Sequence, residues 1–161
     1  MGERSPYHFP TAALAWLGDA VYDLAFRRRL VGDGRRSAAL LQAQLSRYVC
    51  AAAQARVTRV LLADGQLEEE ARALLLRARN AKPGTMAKHA DPVDYRLATA
   101  LEALCGYYAL QGDEGRLEAL LERSYRILEA DRRGARDSAE PCDICGSCDS
   151  GALCDSGVSE R

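Results

Sequence analysis

Residues 11–30 constrain the fold of this chain more than any other segment, because they have helical periodicity and are apolar on almost every side. The run Leu17-Gly18-Asp19-Ala20-Val21 places a carboxylate, Asp19, in the middle of them. A helix that is apolar all round is expected at the centre of a fold, so Asp19 is predicted to point into packed structure. An ionised carboxylate there is costly unless a cation or a hydrogen-bonding group meets it. The segment therefore predicts either a buried structural pair or one half of a metal site.

Start and stop signals divide the chain into six predicted helices, which span about residues 11–30, 37–49, 51–63, 68–80, 91–110 and 115–131. Thr11, Ser37 and Asp91 are the predicted N-terminal caps, and Gly112 is a predicted stop. Aromatic residues make up only 6% of the chain, and no segment has a convincing strand pattern. The predicted fold class is all-α, a helical bundle.

A second acid, Glu102, lies on the fifth predicted helix among mostly small side chains. The residues that share its face are Tyr95, Ala98, Thr99, Cys105, Gly106 and Ala109. Small faces let two helix axes approach closely, and this would bring Glu102 and Asp19 to one point. The predicted contact joins Ala12 and Ala15 on the first helix to Ala98 and Gly106 on the fifth.

Two facing carboxylates repel each other unless they share a proton or a cation. Mg²⁺ is the natural cation, because it often takes one or two protein carboxylates and completes its sphere with waters and substrate phosphates. Structural pairing is the alternative, with Asp19 bonded to a backbone group or an arginine and Glu102 paired with Arg96 or another base. Periodicity alone leaves both interpretations open.

The charge of the chain is unevenly distributed. Residues 1–137 hold 21 Lys and Arg against 18 Asp and Glu, whereas residues 138–161 hold one Arg and five acids. Arg outnumbers Lys 20 to 2, and guanidinium groups suit phosphate geometry, so contact with nucleic acid is favoured over a merely solvated surface. The N-terminus lacks a secretory pattern and no segment is apolar enough to span a bilayer, which predicts a soluble cytoplasmic protein without membrane contact.

Three segments resemble motifs of the ribonuclease III family, in the right order and register. Residues 14–21 are similar to the signature in which a Leu-Gly-Asp run carries a metal-binding acid, here Asp19. Residues 99–106 are similar to the second acidic motif, with Glu102 at the position of the metal-ligating Glu. Residues 77–85 are similar to a segment typical of the short bacterial branch, Mini-ribonuclease III.

The resemblance covers about residues 10–130 and implies a ribonuclease III-like endonuclease domain with Asp19 and Glu102 as its catalytic and Mg²⁺-binding residues. It implies a homodimer in which each subunit contributes one site and each site cuts one strand of double-stranded RNA. The family's substrates are structured precursor RNAs, above all the paired ends of large-subunit (23S) ribosomal RNA. Full-length ribonuclease III has further acids at three positions that are not acidic here or in the Mini-III branch: Ala12, Ala15 and Thr99.

Residues 82–90 form the one polar loop of the predicted core, and the resemblance implies that this region lies near the RNA. The predicted RNA-binding residues are Arg77, Arg79, Asn80, Lys82 and Lys88. An ordinary solvated loop is the alternative. Because no separate double-stranded-RNA-binding domain fits in the chain, affinity must come from the catalytic body and should weaken steeply with salt.

Residues 138–161 form an acidic tail rich in Gly, Ser and Cys, which is predicted to be disordered and separate from the catalytic domain of residues 1–137. Its cysteines have the spacing C-x₂-C-x₂-C-x₅-C: Cys142, Cys145, Cys148 and Cys154. Four thiolates at short spacing can enclose zinc, so a metal site or a redox element is the alternative to reduced thiols.

Three functions are consistent with these patterns. The first is a Mg²⁺-dependent endoribonuclease, which the retention of both acids favours. The second is a non-catalytic duplex-RNA-binding dimer or ribosome-assembly factor on the same fold. The third is a metal- or redox-responsive adaptor that acts through the cysteine tail.

Overall fold

A computed structural model describes residues 5–34, 37–82 and 91–137, with only the backbone described for residues 131–137. In these ranges the chain forms a 3₁₀ turn, Pro6–His8, and six α-helices, without any strand. The helices are α1 (Thr11–Gly32), α2 (Ala38–Val49), α3 (Ala51–Ala63), α4 (Glu69–Asn80), α5 (Pro92–Gln111) and α6 (Glu114–Asp137). The all-α prediction is confirmed. None of the described helices has the length and apolar character needed to cross a membrane.

Most helix ends lie where local hydrogen bonding predicts them. The Ser37 hydroxyl accepts a hydrogen bond from the Leu40 amide at 3.3 Å, which caps α2. The Asp91 carboxylate accepts from the amides of Val93 and Asp94 at 2.7 and 3.0 Å, which caps α5. Gly112 follows α5 with a φ of 71°, a left-handed conformation that favours glycine.

Three details differ from the predictions. Thr11 is the first residue of α1 rather than its cap, since Pro10 holds the cap position without a side-chain hydrogen bond. The helix α6 continues to Asp137, beyond its predicted end near Asp131. The turn Pro6–His8 was not predicted, because three residues carry no usable periodicity.

The central helix of the fold is α5, which packs against α1, α3, α4 and α6. Half of its residues are buried: Leu97, Ala98, Ala100, Leu101, Ala103, Leu104, Cys105, Gly106, Tyr107 and Tyr108. The prediction that α1 occupies the centre is therefore wrong, because α1 buries only the side that faces α5 and α2. Its opposite side is not covered by any described element of the chain.

That opposite side of α1 carries a line of exposed apolar residues, which we call the outer stripe: Ala13, Trp16, Ala20, Leu24 and Val31. Trp16 keeps 81% of its surface exposed, and Leu24 and Val31 keep 55% and 63%. Residues three to four positions apart lie on one side of a helix, so the outer stripe is continuous from Ala13 to Leu24, and the exposed Arg27 and Arg28 separate it from Val31. The apolar character of α1 on all sides thus arises from one buried face and one exposed face.

The helices α1 and α5 cross at two glycines. A Cβ atom on Gly18 would overlap the carbonyl oxygen of Glu102, and one on Gly106 would overlap the carbonyl oxygen of Leu14. Only glycine permits this approach of the two backbones. The predicted close contact is confirmed for Gly106, but its partner is the backbone around Gly18 rather than Ala12, which is exposed.

Candidate active site

The glycine crossing places the two acids beside each other. Asp19 follows Gly18 directly, and the Glu102 backbone is the one that Gly18 contacts. Both acids line a single cleft of about 350 Å³ between α1, α4 and α5. The structure thus brings together the two side chains that the sequence patterns pair.

The two acids lie in different environments. Asp19 is exposed, so the prediction that it points into packed structure is wrong; the uncovered outer side of α1 leaves it in water. Glu102 is partly buried, and its pKa is raised to about 7 by burial first and by the negative charge of Asp19 second. The amide of Gln54, on α3, acts in the opposite direction. Glu102 is therefore the acid whose ionised form is unfavourable in this site.

No arginine or lysine of the described residues forms an ion pair with either acid. Arg96, the suggested structural partner of Glu102, lines the cleft but does not form such a pair. Within the same described ranges no group of three or more His, Cys, Asp and Glu residues is placed to hold a metal. Among the described residues, the cleft therefore presents two carboxylates that no side chain pairs with as a salt bridge.

The remaining cleft residues combine positive charge with aromatic and hydroxyl groups. The polar and aromatic ones are Thr11, Trp16, Lys82, Tyr95, Arg96 and Thr99. The Thr99 hydroxyl donates a hydrogen bond to the Tyr95 carbonyl at 2.9 Å. Acids between α1 and α5, with two cations at the edge, form an arrangement that suits a phosphodiester approaching a cation held by the acids.

Three of the predicted RNA-binding residues lie on this side of the molecule. Lys82 is exposed and lines the cleft itself. Arg79 and Asn80 line an adjoining groove of about 480 Å³, which shares Arg96 with the cleft and also contains Arg59. Lys88 lies outside the described residues, as do the four tail cysteines and the whole predicted tail.

Arg77 is placed differently from the other predicted RNA-binding residues. Its guanidinium donates a hydrogen bond to the Pro6 carbonyl at 2.6 Å and lies 4.9 Å from the centre of the Tyr7 ring. Its Nε is buried without a hydrogen-bond partner in the described part of the chain. Arg77 therefore holds the N-terminal turn against α4, and a role in RNA binding stays a prediction.

The sequence patterns gave no role in the site to Trp16 or Gln54, and they named Gly18 only within a motif and Arg96 only as a structural partner of Glu102. Trp16 had a usable signal in its spacing, since it lies three residues before Asp19 on the same helix. Gln54 had none, because nothing in α3 alone indicates which residue of another helix its side chain meets.

Comparison with known proteins agrees with these features. A family described as Ribonuclease III domain matches residues 12–113. A Mini-ribonuclease 3 from Brevibacillus brevis is 41% identical over 128 residues, which are 80% of this chain and 94% of that protein. One from Enterococcus faecalis is 42% identical over 109 residues, or 68% and 83% of the two chains. A crystal structure of a Fusobacterium nucleatum protein matches with a TM-score of 0.66 at 26% identity, covering 74% of this chain and 96% of that one.

Proposed function

Because the chain belongs to the ribonuclease III family and is an endoribonuclease of double-stranded RNA, we propose that it requires Mg²⁺ and matures the paired ends of 23S ribosomal RNA precursors in the cytoplasm. The observation that carries the metal requirement is the pair of uncompensated carboxylates, Asp19 and Glu102, in one cleft. The ribosomal substrate is supported by the resemblance to Mini-ribonuclease III.

The residues present fit a hard divalent cation. Carboxylate oxygens are the ligands that Mg²⁺ prefers, and two of them leave positions for waters and phosphate oxygens. Burial first and the charge of Asp19 second raise the pKa of Glu102, and a cation held by these two acids would favour the ionised form of Glu102. Asp19 and Glu102 are therefore the proposed metal ligands and catalytic residues.

The residues of the cleft have separate roles in the proposed reaction. When bound, the ion supplies activation of a water and neutralisation of charge on the phosphate. Asp19 is open to solvent on α1, so it faces the direction from which RNA arrives, while Glu102 anchors the site to the central helix. Lys82 and Arg96 lie at the edge of the cleft, where they orient the phosphate backbone of the duplex by charge.

We propose further that the protein acts as a homodimer whose subunits meet through the outer stripe. An exposed apolar surface of this kind is typical of a contact with another protein. Trp16 belongs both to the outer stripe and to the cleft, so a partner on the stripe lies next to the site. A two-fold axis would place the two sites symmetrically, one for each RNA strand.

The decisive experiment compares RNA cleavage by the wild type, Asp19→Asn and Glu102→Gln, with Mg²⁺ and with a chelator. We expect each variant to lose about 10³-fold or more of the rate on duplex RNA, and the chelator to abolish cleavage. Single-stranded RNA of the same sequence should stay intact. A duplex containing the paired ends of a 23S precursor should be cut faster than an unrelated duplex of equal length.

Asp23→Asn is the matched control, because Asp23 lies one turn after Asp19 and pairs with Arg27 at 2.6 Å. It should stay within about threefold of the wild-type rate. Cleavage that survives in chelator would contradict the metal requirement. Tight duplex binding without any cleavage by the wild type would instead favour the non-catalytic RNA-binding dimer.

A further inference from the structure

We infer that Gln54 is a positioning residue of the metal site, whose side-chain amide donates a hydrogen bond to the Glu102 carboxylate when a cation is bound and holds the carboxylate toward that cation. This inference rests on the proposed function, since it assigns a role within the same site. Gln54 lies on α3, and none of the three motifs that resemble the family contains it.

The packing of α3 against α5 brings Gln54 to Glu102. The Thr58 hydroxyl donates to the Leu97 carbonyl at 2.9 Å, which fixes one point of contact between the two helices. Gln54 lies one turn before Thr58, and Glu102 lies little more than one turn after Leu97, so antiparallel helices place the second pair one turn further along. The Gln54 side chain lies beside the Glu102 carboxylate.

The side-chain amide of Gln54 is buried and lacks a hydrogen-bond acceptor among the described residues. Only 2% of its surface is exposed. Its Nε2 atom is buried and makes no hydrogen bond of ordinary length and angle to any described group. A buried amide donor without a partner destabilises the fold. A small movement of the Glu102 carboxylate on binding a cation would satisfy the Nε2 donor and fix the carboxylate at once.

This arrangement explains how two carboxylates suffice in the cleft. Groups that hydrogen-bond a ligating carboxylate orient it, and their loss commonly weakens metal affinity by 10–100-fold. Gln54 approaches from the buried side, opposite the solvent from which RNA and metal arrive. It therefore restricts Glu102 without occupying a position that water or phosphate needs.

The test measures Mn²⁺ binding to the full chain without RNA, from the loss of the free-ion electron paramagnetic resonance signal. Gln54→Met keeps the shape of the side chain and removes the donor, and we expect about tenfold weaker binding. Trp16 is the only tryptophan and lines the same cleft, so quenching of its fluorescence by Mn²⁺ reports whether the ion binds there. Both signals should weaken together.

Thr58→Val is the matched control, because it removes a buried hydrogen-bond donor at the same contact between α3 and α5. We expect it to lower the melting temperature but to leave the Mn²⁺ affinity within about twofold of wild type. Gln54→Glu keeps the length but replaces the donor by an acceptor, so it should not restore binding. Affinity of Gln54→Glu equal to or above wild type would overturn the inference, since an oxygen ligand would then explain Gln54.

The outcomes separate this inference from the proposed function. A wild type that binds no Mn²⁺, or binding that Asp19→Asn leaves unchanged, would refute the metal site itself. Normal wild-type binding that Gln54→Met leaves unchanged would refute only the role of Gln54. Loss of affinity in Gln54→Met and Thr58→Val alike would also refute it, because general loosening of the α3–α5 contact would then be the cause.

Discussion

The side of α1 that faces α5 and the side that faces away from it differ in how closely other atoms approach. On the inner side, Gly18 lies against the Glu102 backbone so tightly that no Cβ fits. On the outer side, Trp16 and Leu24 are exposed although they are large and apolar. Asp19 lies at the border between the two sides. The candidate site is thus built where a closed helix crossing meets an open surface.

The largest expected effect is that of Gly18→Ala, which tests the closed side. Its Cβ would overlap a backbone oxygen, which cannot rotate away, so α1 and α5 must separate. We expect a loss of at least about 3 kcal/mol in the free energy of unfolding, together with loss of cleavage, because Asp19 and Glu102 move apart. Urea unfolding followed by circular dichroism measures the first effect.

Two further glycines sharpen this prediction. Gly106→Ala meets the Leu14 carbonyl in the same way and should be similarly destabilising. Gly32→Ala, at the end of the same helix α1, meets nothing within 4 Å and should be neutral or slightly stabilising. Equal stability of Gly18→Ala and Gly32→Ala would show that the crossing is looser than described.

The second prediction compares how Glu102 and Asp19 affect the stability of the metal-free protein as pH changes. The pKa of Glu102 in the fold is about 7, above its ordinary value near 4.5, so the folded state binds the extra proton between these values. Stability should therefore fall as pH rises from about 4.5 to about 7 and then level off. Glu102→Gln removes this fall and should be more stable than wild type by about 2 kcal/mol at pH 8.

Asp19→Asn is the companion variant, because Asp19 is exposed in the folded protein. It removes only the smaller influence on Glu102, the neighbouring charge, and should change stability at pH 8 by less than about 0.5 kcal/mol. Thermal unfolding at pH 5 and pH 8 measures both. If Asp19→Asn gains more stability at pH 8 than Glu102→Gln does, then Asp19 and not Glu102 is the acid whose ionised form destabilises the fold.

Sequence patterns predicted the features of the fold that depend on neighbouring residues. Ser37, Asp91 and Gly112 mark helix ends because their hydrogen bonds and backbone angles involve groups only a few residues away. The small face of α5 likewise indicated a close crossing with the first helix, although the contact lies at Gly18 and not at Ala12. At the helix ends the signal and the structure concern the same short stretch of chain.

The unpredicted features depend on which elements cover one another. The apolar residues of α1 look alike in sequence, and only the fold decides that Tyr22 is buried while Trp16 is exposed. The exposure of Asp19 follows from the same cause. Gln54 reaches the site through the contact of α3 with α5, which joins residues about fifty positions apart and leaves no local pattern.

The third prediction tests the open side of α1. Trp16→Glu places a charge in the outer stripe without touching the core, so the proposed dimer should weaken at least tenfold, or about 1.4 kcal/mol. The unfolding free energy of the monomer should stay within about 0.5 kcal/mol. Sedimentation velocity over a range of concentrations measures the dimer. His8→Glu, at an exposed position in the turn before α1 and outside the outer stripe, is the control for added charge.

The smallest expected effect distinguishes Lys82, a basic residue exposed at the cleft, from Arg77, which already makes a hydrogen bond within the protein. Lys82 is exposed at the cleft, so Lys82→Ala should weaken duplex RNA binding about two- to fivefold and reduce the salt dependence of binding by about one counterion. Arg77 instead bonds the Pro6 carbonyl, so Arg77→Ala should lower the melting temperature and leave the salt dependence nearly unchanged. Fluorescence anisotropy from 50 to 200 mM salt, in Ca²⁺ or chelator to prevent cleavage, distinguishes the two. If Arg77→Ala changes the salt dependence as much as Lys82→Ala does, Arg77 must leave the N-terminal turn to bind RNA. The RNA-binding surface would then extend beyond the cleft to the turn before α1.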